Sequence, residues 1–216
     1  MTDASLPPSP LTWAYADDWA EEAPEVAAAR RRAQEMGAPV PSRAVGALLR
    51  SLVATARAHA VVEVGSGTGV TGGWILEGLP AEGTLTTVDP DSALQTAARD
   101  TFGRMGVSHT RVRTIAGAPR AVLPRLSDAA YDIVIVGPGT DTAGEDGHAL
   151  LAEAHRLLTP GGSIIITPVF SGEGMLADRH DMVQHLRDDP EWIATVMTVG
   201  EGVVLAARRE HGAPEV

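Results

Sequence analysis

The 216-residue chain has no cysteine, which excludes disulfides and thiolate metal sites. It also has no lysine and no asparagine, and all 17 basic residues are arginine. Any chemistry that needs either missing side chain is closed to it. Aromatic residues are few, with two Phe, two Tyr and four Trp. An aromatic-lined pocket would have to draw on Trp, or use Met instead. No apolar run is long enough to span a bilayer, and no basic segment precedes an apolar one, so the sequence predicts a soluble, cytoplasmic protein. Positive charge is also short. A net charge of -11 argues against nucleic acid as a substrate, because phosphate binding needs a basic surface. The run Arg30-Arg31-Arg32 is a local exception, and its Ala/Glu/Arg setting reads as a solvated helix face.

What is present is enough for one domain with a full core, at 22.5 kDa and 44% apolar. The chain is organised around Ala60 to Leu76, AVVEVGSGTGVTGGWIL. An apolar run ending at Val64 reads as a buried strand. It breaks into Gly65-Ser66-Gly67-Thr68-Gly69 and resumes with helical character. Strand, glycine turn and helix N-terminus form the geometry that holds a nucleotide-like ligand. The spacing is G-x-G-x-G, because Val70 stands where a dinucleotide fingerprint needs its third glycine. Glu63 precedes the first glycine by two positions, where its carboxylate could reach a cationic group. Asp89 follows Gly67 by 89 − 67 = 22 residues, at the end of the next apolar strand. An acidic group there can accept both hydroxyls of a ribose. Its competing role, capping the following helix, can fall to Asp91 or Ser92.

Met1 to Leu11 reads as a flexible tail and 211–216 as a second one. Residues 12–57 suggest helices, the last of them Arg43 to Arg57 behind an N-cap at Ser42. Further strands are expected at Thr84–Val88, Arg111–Ile115, Tyr131–Val136 and Ser163–Thr167, with helices at Ser92–Met105 and Gly147–Leu158. Trp192–Val199 and Val203–Arg208 flank Gly200-Glu201-Gly202 and predict a terminal hairpin.

Glu63 to Gly69, read as E-x-G-x-G-x-G, resembles motif I of the class I S-adenosylmethionine (SAM)-dependent methyltransferases. YDIVIVGPG, LLTPGGSIIIT, AVGALLRSLV and LTTVDPD narrow the resemblance to the bacterial catechol-type O-methyltransferases, in their actinobacterial branch. The likeness covers about Val40 to Arg209. It implies a Rossmann-like α/β fold over residues 12–210, with a seven-stranded, mostly parallel sheet, a C-terminal antiparallel hairpin and an N-terminal helical extension. It implies SAM as cofactor, a small hydroxylated methyl acceptor and a homodimer, with Trp13 and Trp19 in the dimerising segment. It carries cofactor binding onto Glu63, Gly65, Ser66, Gly67, Thr71, Asp89, Pro90, Gly117 and Ala118, with Glu63 facing the methionine end. Ala118 stands where the family often has an acidic residue for the adenine amino group.

Other departures touch the chemistry. The family's divalent cation sits on an Asp after the fourth strand and an Asp-Asn pair after the fifth. Here those positions are Gly137 and Pro168-Val169, and the family's catalytic lysine falls on Thr140. No metal site is therefore expected. The loop from Gly137 to Gly147 is about four residues longer than the family's usual length, where most loops are short. Its Asp141, Glu145 and Asp146, with His148 just after, offer hard oxygen ligands for a cation but read first as a solvated acidic loop. His148, or His180 with Asp178 and Asp181, are the nearest candidate bases, each competing with an ordinary surface histidine. Three functions follow: a metal-free O-methyltransferase, a catalytically silent SAM-binding relative, and a nucleotide-dependent oxidoreductase, which Val70 disfavours.

Overall fold

Ala60–Val64 forms β1, the centre of the sheet in a computed structural model of the chain. The structure describes residues 10–171, 174–175 and 177–210, with side chains omitted over 171–178. The remaining elements of the sheet are β2 (Thr84–Asp89), β3 (Val112–Ala116), β4 (Tyr131–Val136), β5 (Leu158–Ile166), β8 (Trp192–Met197) and β9 (Val203–Arg208). Their order is β3-β2-β1-β4-β5-β9-β8. Strands β1 to β5 pair in parallel, whereas β9 runs antiparallel to both β5 and β8. The terminal hairpin is thus inserted with its second strand innermost. A short ribbon, β6 (Phe170–Ser171) with β7 (Gly174–Met175), follows β5.

Central strands covered on both faces must be apolar on both faces. Val61, Ile133, Ile135 and Ile165 point to one side, under α3 (Arg43–Thr55), α4 (Val70–Gly78) and α5 (Ser92–Arg104). Val62, Val64, Val134, Val136, Ile164 and Ile166 point to the other, under α6 (Pro119–Val122), α7 (Glu145–Leu157) and α8 (Ala177–Asp188). The period-2 alternation therefore feeds two cores. No described helix is long and apolar enough to cross a membrane.

The N-terminal extension is two helices, α1 (Pro10–Trp19) and α2 (Pro24–Met36). Residues 1–9 and 211–216, read as tails, lie outside the described residues, while Pro10 and Leu11 already belong to α1. Helix α2 is tied down. Val26 and Ala29 pack with Val70 and Trp74. Thr68 Oγ1 donates to the Ala29 carbonyl at 2.9 Å. Arg30 pairs with Glu22 at 2.6 Å, and Glu22 also accepts from Trp74 Nε1 at 3.2 Å. Arg32 reaches Asp100 at 2.8 Å. This corrects the reading of the arginine run, since two of its three members clamp α2 to neighbours. Helix α1 buries no residue and leaves Leu11, Tyr15 and Trp19 more than 70% exposed.

The helix behind Ser42 stops at Thr55, two residues early, with Ser42 Oγ accepting from Val45 N. The expected turn at Thr159–Gly162 lies inside β5 as a bulge, where the strand passes from Leu158 to Ser163 while its partner advances from Tyr131 to Ile133.

Candidate active site

The strand order reverses at β1, with β2 on one side and β4 on the other, which opens a crevice at their C-terminal ends. A cavity of about 770 Å³ lies there. Its floor is Val64, Gly65 and Gly67, and one wall is Asp89, Pro90 and Asp91. Leu94, Ala118, Pro119 and Leu123 make an apolar side. Pro138 to Asp141 and one flank of α7 close the opposite side, and the connection Met36 to Pro39 covers it. That last wall comes from the N-terminal extension and was not read from the sequence.

The glycine loop needs its glycines. Gly65 has φ 92°, and a Cβ there would lie 2.6 Å from Thr140 Oγ1. Gly69, at φ 89°, is the N-cap of α4. Asp89, 6% exposed, braces the loop, because its Oδ2 accepts from Gly67 N at 3.0 Å and its Oδ1 from Asp91 N at 2.9 Å. The capping of α5 falls to Asp91, whose Oδ1 accepts from Ala93 N at 2.7 Å. Asp89 is left at the strand end, lining the cavity.

Of the nine expected cofactor residues, Gly65, Gly67, Asp89, Pro90 and Ala118 line the cavity. Ser66 and Thr71 are buried beside it, and Gly117 N donates to the Asp89 carbonyl at 3.0 Å. Glu63 does not face the cavity. It shares a strand face with Val61 and lies under α4, where a Cβ on Gly72 would come within 3.2 Å of its Oε2. It is fully buried. Burial pushes its carboxyl up to about 8, with a smaller push from Asp89, against the lowering effect of the Thr87 bond and the Gly72 backbone. No described cation meets it; Thr87 Oγ1 donates to Oε2 at 2.5 Å, and among the described residues Oε1 accepts no hydrogen bond. Thr87 also contacts Ser66 Oγ, which accepts from Gln95 Nε2 at 2.9 Å. A buried polar chain from Glu63 to Gln95 thus supports the loop from below. Glu63, expected to face the methionine end of the cofactor, is thus not among the residues that line the cavity. Thr87 and Gln95 were missed, although the alternation of β1 already put Glu63 on the face it shares with Val61.

The candidate bases lie outside the cavity, as their surface-histidine reading allowed. His148 lies in the first turns of α7, its Nδ1 3.1 Å from the Gly144 carbonyl and its ring edge-on to His185 at 5.6 Å. It lines a separate cleft between α7 and α8 with His155, His185 and Trp192. His180 and Asp181 are exposed and line neither, and the Asp178 side chain lies outside the described residues.

The family's cation does not fit the residues at its expected position. A side chain on Gly137 would meet the Gly65 and Val64 carbonyls at 3.1 and 3.2 Å. Val169 is fully buried in the core. The Gly137 carbonyl instead accepts from Arg179, itself 2% exposed, at 3.2 Å. Among the described residues no group of three His, Cys, Asp or Glu is disposed to hold a metal.

A methyltransferase-domain family model matches residues 61–162, which span β1 to the bulge in β5. A protein bearing an O-methyltransferase name from Mycobacteroides abscessus is 36% identical over 193 residues, covering 85% of this chain and 87% of its own. A second of that name, from Mycolicibacterium vanbaalenii, is 38% identical over 192 residues, with 85% and 83% covered. The crystal structure of cofactor-bound Rv0187 from MTB superposes with a TM-score of 0.82 at 27% identity, covering 95% of this chain and 100% of that one. These likenesses, the strand order and the crevice agree, and the chain belongs to the class I S-adenosylmethionine-dependent methyltransferases, within the O-methyltransferase family.

Proposed function

We propose that the protein transfers the methyl group of SAM to a hydroxyl oxygen of a small molecule without a divalent cation. The observation that carries this reading is the division of the cavity. One end offers Asp89 for the ribose hydroxyls and the apolar Ala118, Pro119, Leu123 and Leu94 for the adenine. The other end, at Pro138 to Asp141, offers no set of metal ligands among the described residues.

Methyl transfer from a sulfonium is an in-line displacement. Holding donor and acceptor collinear, in a cavity that excludes water, supplies much of the rate. The cover formed by Met36 to Pro39 serves that exclusion. A volume of about 770 Å³ accommodates the cofactor together with a small acceptor. Glu63 acts from beneath, through Thr87 and Ser66, by fixing the loop.

The exposed Leu11, Trp13, Tyr15 and Trp19 of α1 support a second proposal, a homodimer formed through this helix. Light scattering on the full chain tests it, and a monomer at micromolar concentration would refute it.

The catalytic reading is tested by calorimetric titration with SAM and NAD, followed by labelled methyl transfer to a panel of phenols and alcohols. We expect SAM to bind, NAD not to bind, and at least one hydroxyl compound to be methylated. SAM binding with no transfer to any hydroxyl would leave a silent binding protein instead.

A further inference from the structure

With no lysine or cysteine in the chain and no described histidine or tyrosine against the cavity, the acceptor's proton must go to a carboxylate or to water. The described cavity wall carries five carboxylates, Asp89, Asp91, Asp141, Asp146 and Glu153. Both oxygens of Asp89 hold backbone amides. Asp91 caps α5 through Ala93 and Leu94. Glu153 is paired with Arg156 at 2.6 Å. Asp146 sits in the first turn of α7, on the helix and not on the loop segment beside the glycine turn.

Asp141 differs in how it is held. Its neighbour Thr140 is 8% exposed and pinned to the end of β1, with Oγ1 donating to the Val64 carbonyl at 3.0 Å. Thr140 also packs against Gly65, close enough that no Cβ fits between them. This anchors Asp141 beside the glycine loop at the point where the strand order reverses. Asp141 Oδ1 accepts from Ala143 N at 3.1 Å, which fixes the carboxylate, and among the described residues Oδ2 accepts no hydrogen bond.

We propose that Asp141 is the catalytic residue that receives the acceptor's hydroxyl proton. The inference rests on the metal-free O-methyl transfer proposed above. The hydroxyl oxygen attacks the methyl carbon, the O–C bond forms as the C–S bond breaks, and the bonding pair returns to sulfur. The hydroxyl proton passes to Asp141 Oδ2 and then to solvent, to which this loop residue is open. The products are a methyl ether, S-adenosylhomocysteine and one proton.

Two measurements on the full chain test the assignment. In the first, 4-nitrophenol is titrated spectrophotometrically on protein loaded with S-adenosylhomocysteine. A carboxylate against the phenol disfavours phenolate, so the bound phenol should ionise about one pH unit higher on the wild type than on Asp141→Asn. In the second, turnover is compared for Asp141→Asn, Asp141→Glu and Asp146→Asn with a phenol that the wild type methylates. We expect kcat to fall about a hundredfold or more in Asp141→Asn, with the SAM Kd and the melting temperature unchanged. Asp141→Glu should recover part of the loss. Equal ionisation of nitrophenol on both proteins, failure of nitrophenol to bind, or wild-type turnover by Asp141→Asn would each overturn the assignment. So would a loss confined to Asp146→Asn. A wild type that shifts nitrophenol yet methylates nothing would support the contact and overturn the functional reading instead.

Discussion

Replacing Glu63 with glutamine isolates the energetic cost of a carboxyl group sealed beneath the glycine loop. The group is fully buried and its carboxyl is pushed from 4.5 to about 8, chiefly by desolvation. The folded state therefore keeps the proton after the unfolded chain has lost it. Below pH 4.5 both states are protonated and the group contributes no pH dependence. Between 4.5 and about 8 the folded state binds more protons, so stability falls as pH rises, and above about 8 the loss levels off. Across that window each pH unit removes about 1.4 kcal/mol. At pH 7 the accumulated loss is then about 3 kcal/mol, and by pH 9 about 5. Glutamine keeps the shape and can still accept from Thr87, but it cannot ionise. Urea unfolding of wild type and Glu63→Gln without cofactor, at pH 5, 7 and 9, gives the difference free of other titrating groups. We expect the variant to gain on the wild type by about 2 kcal/mol or more between pH 5 and pH 9. A difference that stays constant across that range would refute the argument and place an ionised Glu63 in the folded protein.

Four further outcomes follow from particular contacts. Asp89→Ala should weaken SAM binding by about 1.5–3 kcal/mol, more than Asp91→Ala does by titration calorimetry. Asp91→Ala should instead lower stability by about 1 kcal/mol through the lost cap on α5. Gly46→Ala puts a Cβ 2.3 Å from Trp74 Nε1 and should cost about 1–3 kcal/mol by overpacking, seen in thermal melts. Gly137→Asp, which restores the type of ligand found in the family, should lower the melting temperature, because its Cβ crowds the Val64 and Gly65 carbonyls. It should not make turnover respond to magnesium.

What the sequence made legible is what local pattern controls. Strands β4 and β9 run from Tyr131 to Val136 and from Val203 to Arg208 as read, because continuous apolar runs leave little freedom. The glycine turn and Asp89 were legible because their spacing is set by one strand–helix–strand unit. The direction of Glu63 was not, although Val61 two residues earlier shares its face. The missing fact was the pairing of Glu63 with Thr87 across β1 and β2. Gln95 joins the same chain from α5, and no local rule brings it to Ser66. The Met36–Pro39 cover depends on how α2 docks against Trp74, a contact between distant segments. His148 is the exposed surface histidine that its competing reading allowed, and its helix phase shows why. His148 and His155 are seven residues apart and share one face of α7, whereas Ala149 and Glu153 face the cavity.

The measurement that bears most directly on the account is transfer of a labelled methyl group from SAM to a phenol, first with EDTA present and then with magnesium restored. Gly137, Pro168 and Val169 supply no side-chain oxygen, and a hard divalent ion needs carboxylate anchors. We expect the rate to be the same in chelator as in magnesium, and SAM binding to be unaffected by either. Transfer that disappears with EDTA and returns with magnesium would contradict the account, and would show that the acidic loop from Asp141 to Asp146 builds a cation site of its own.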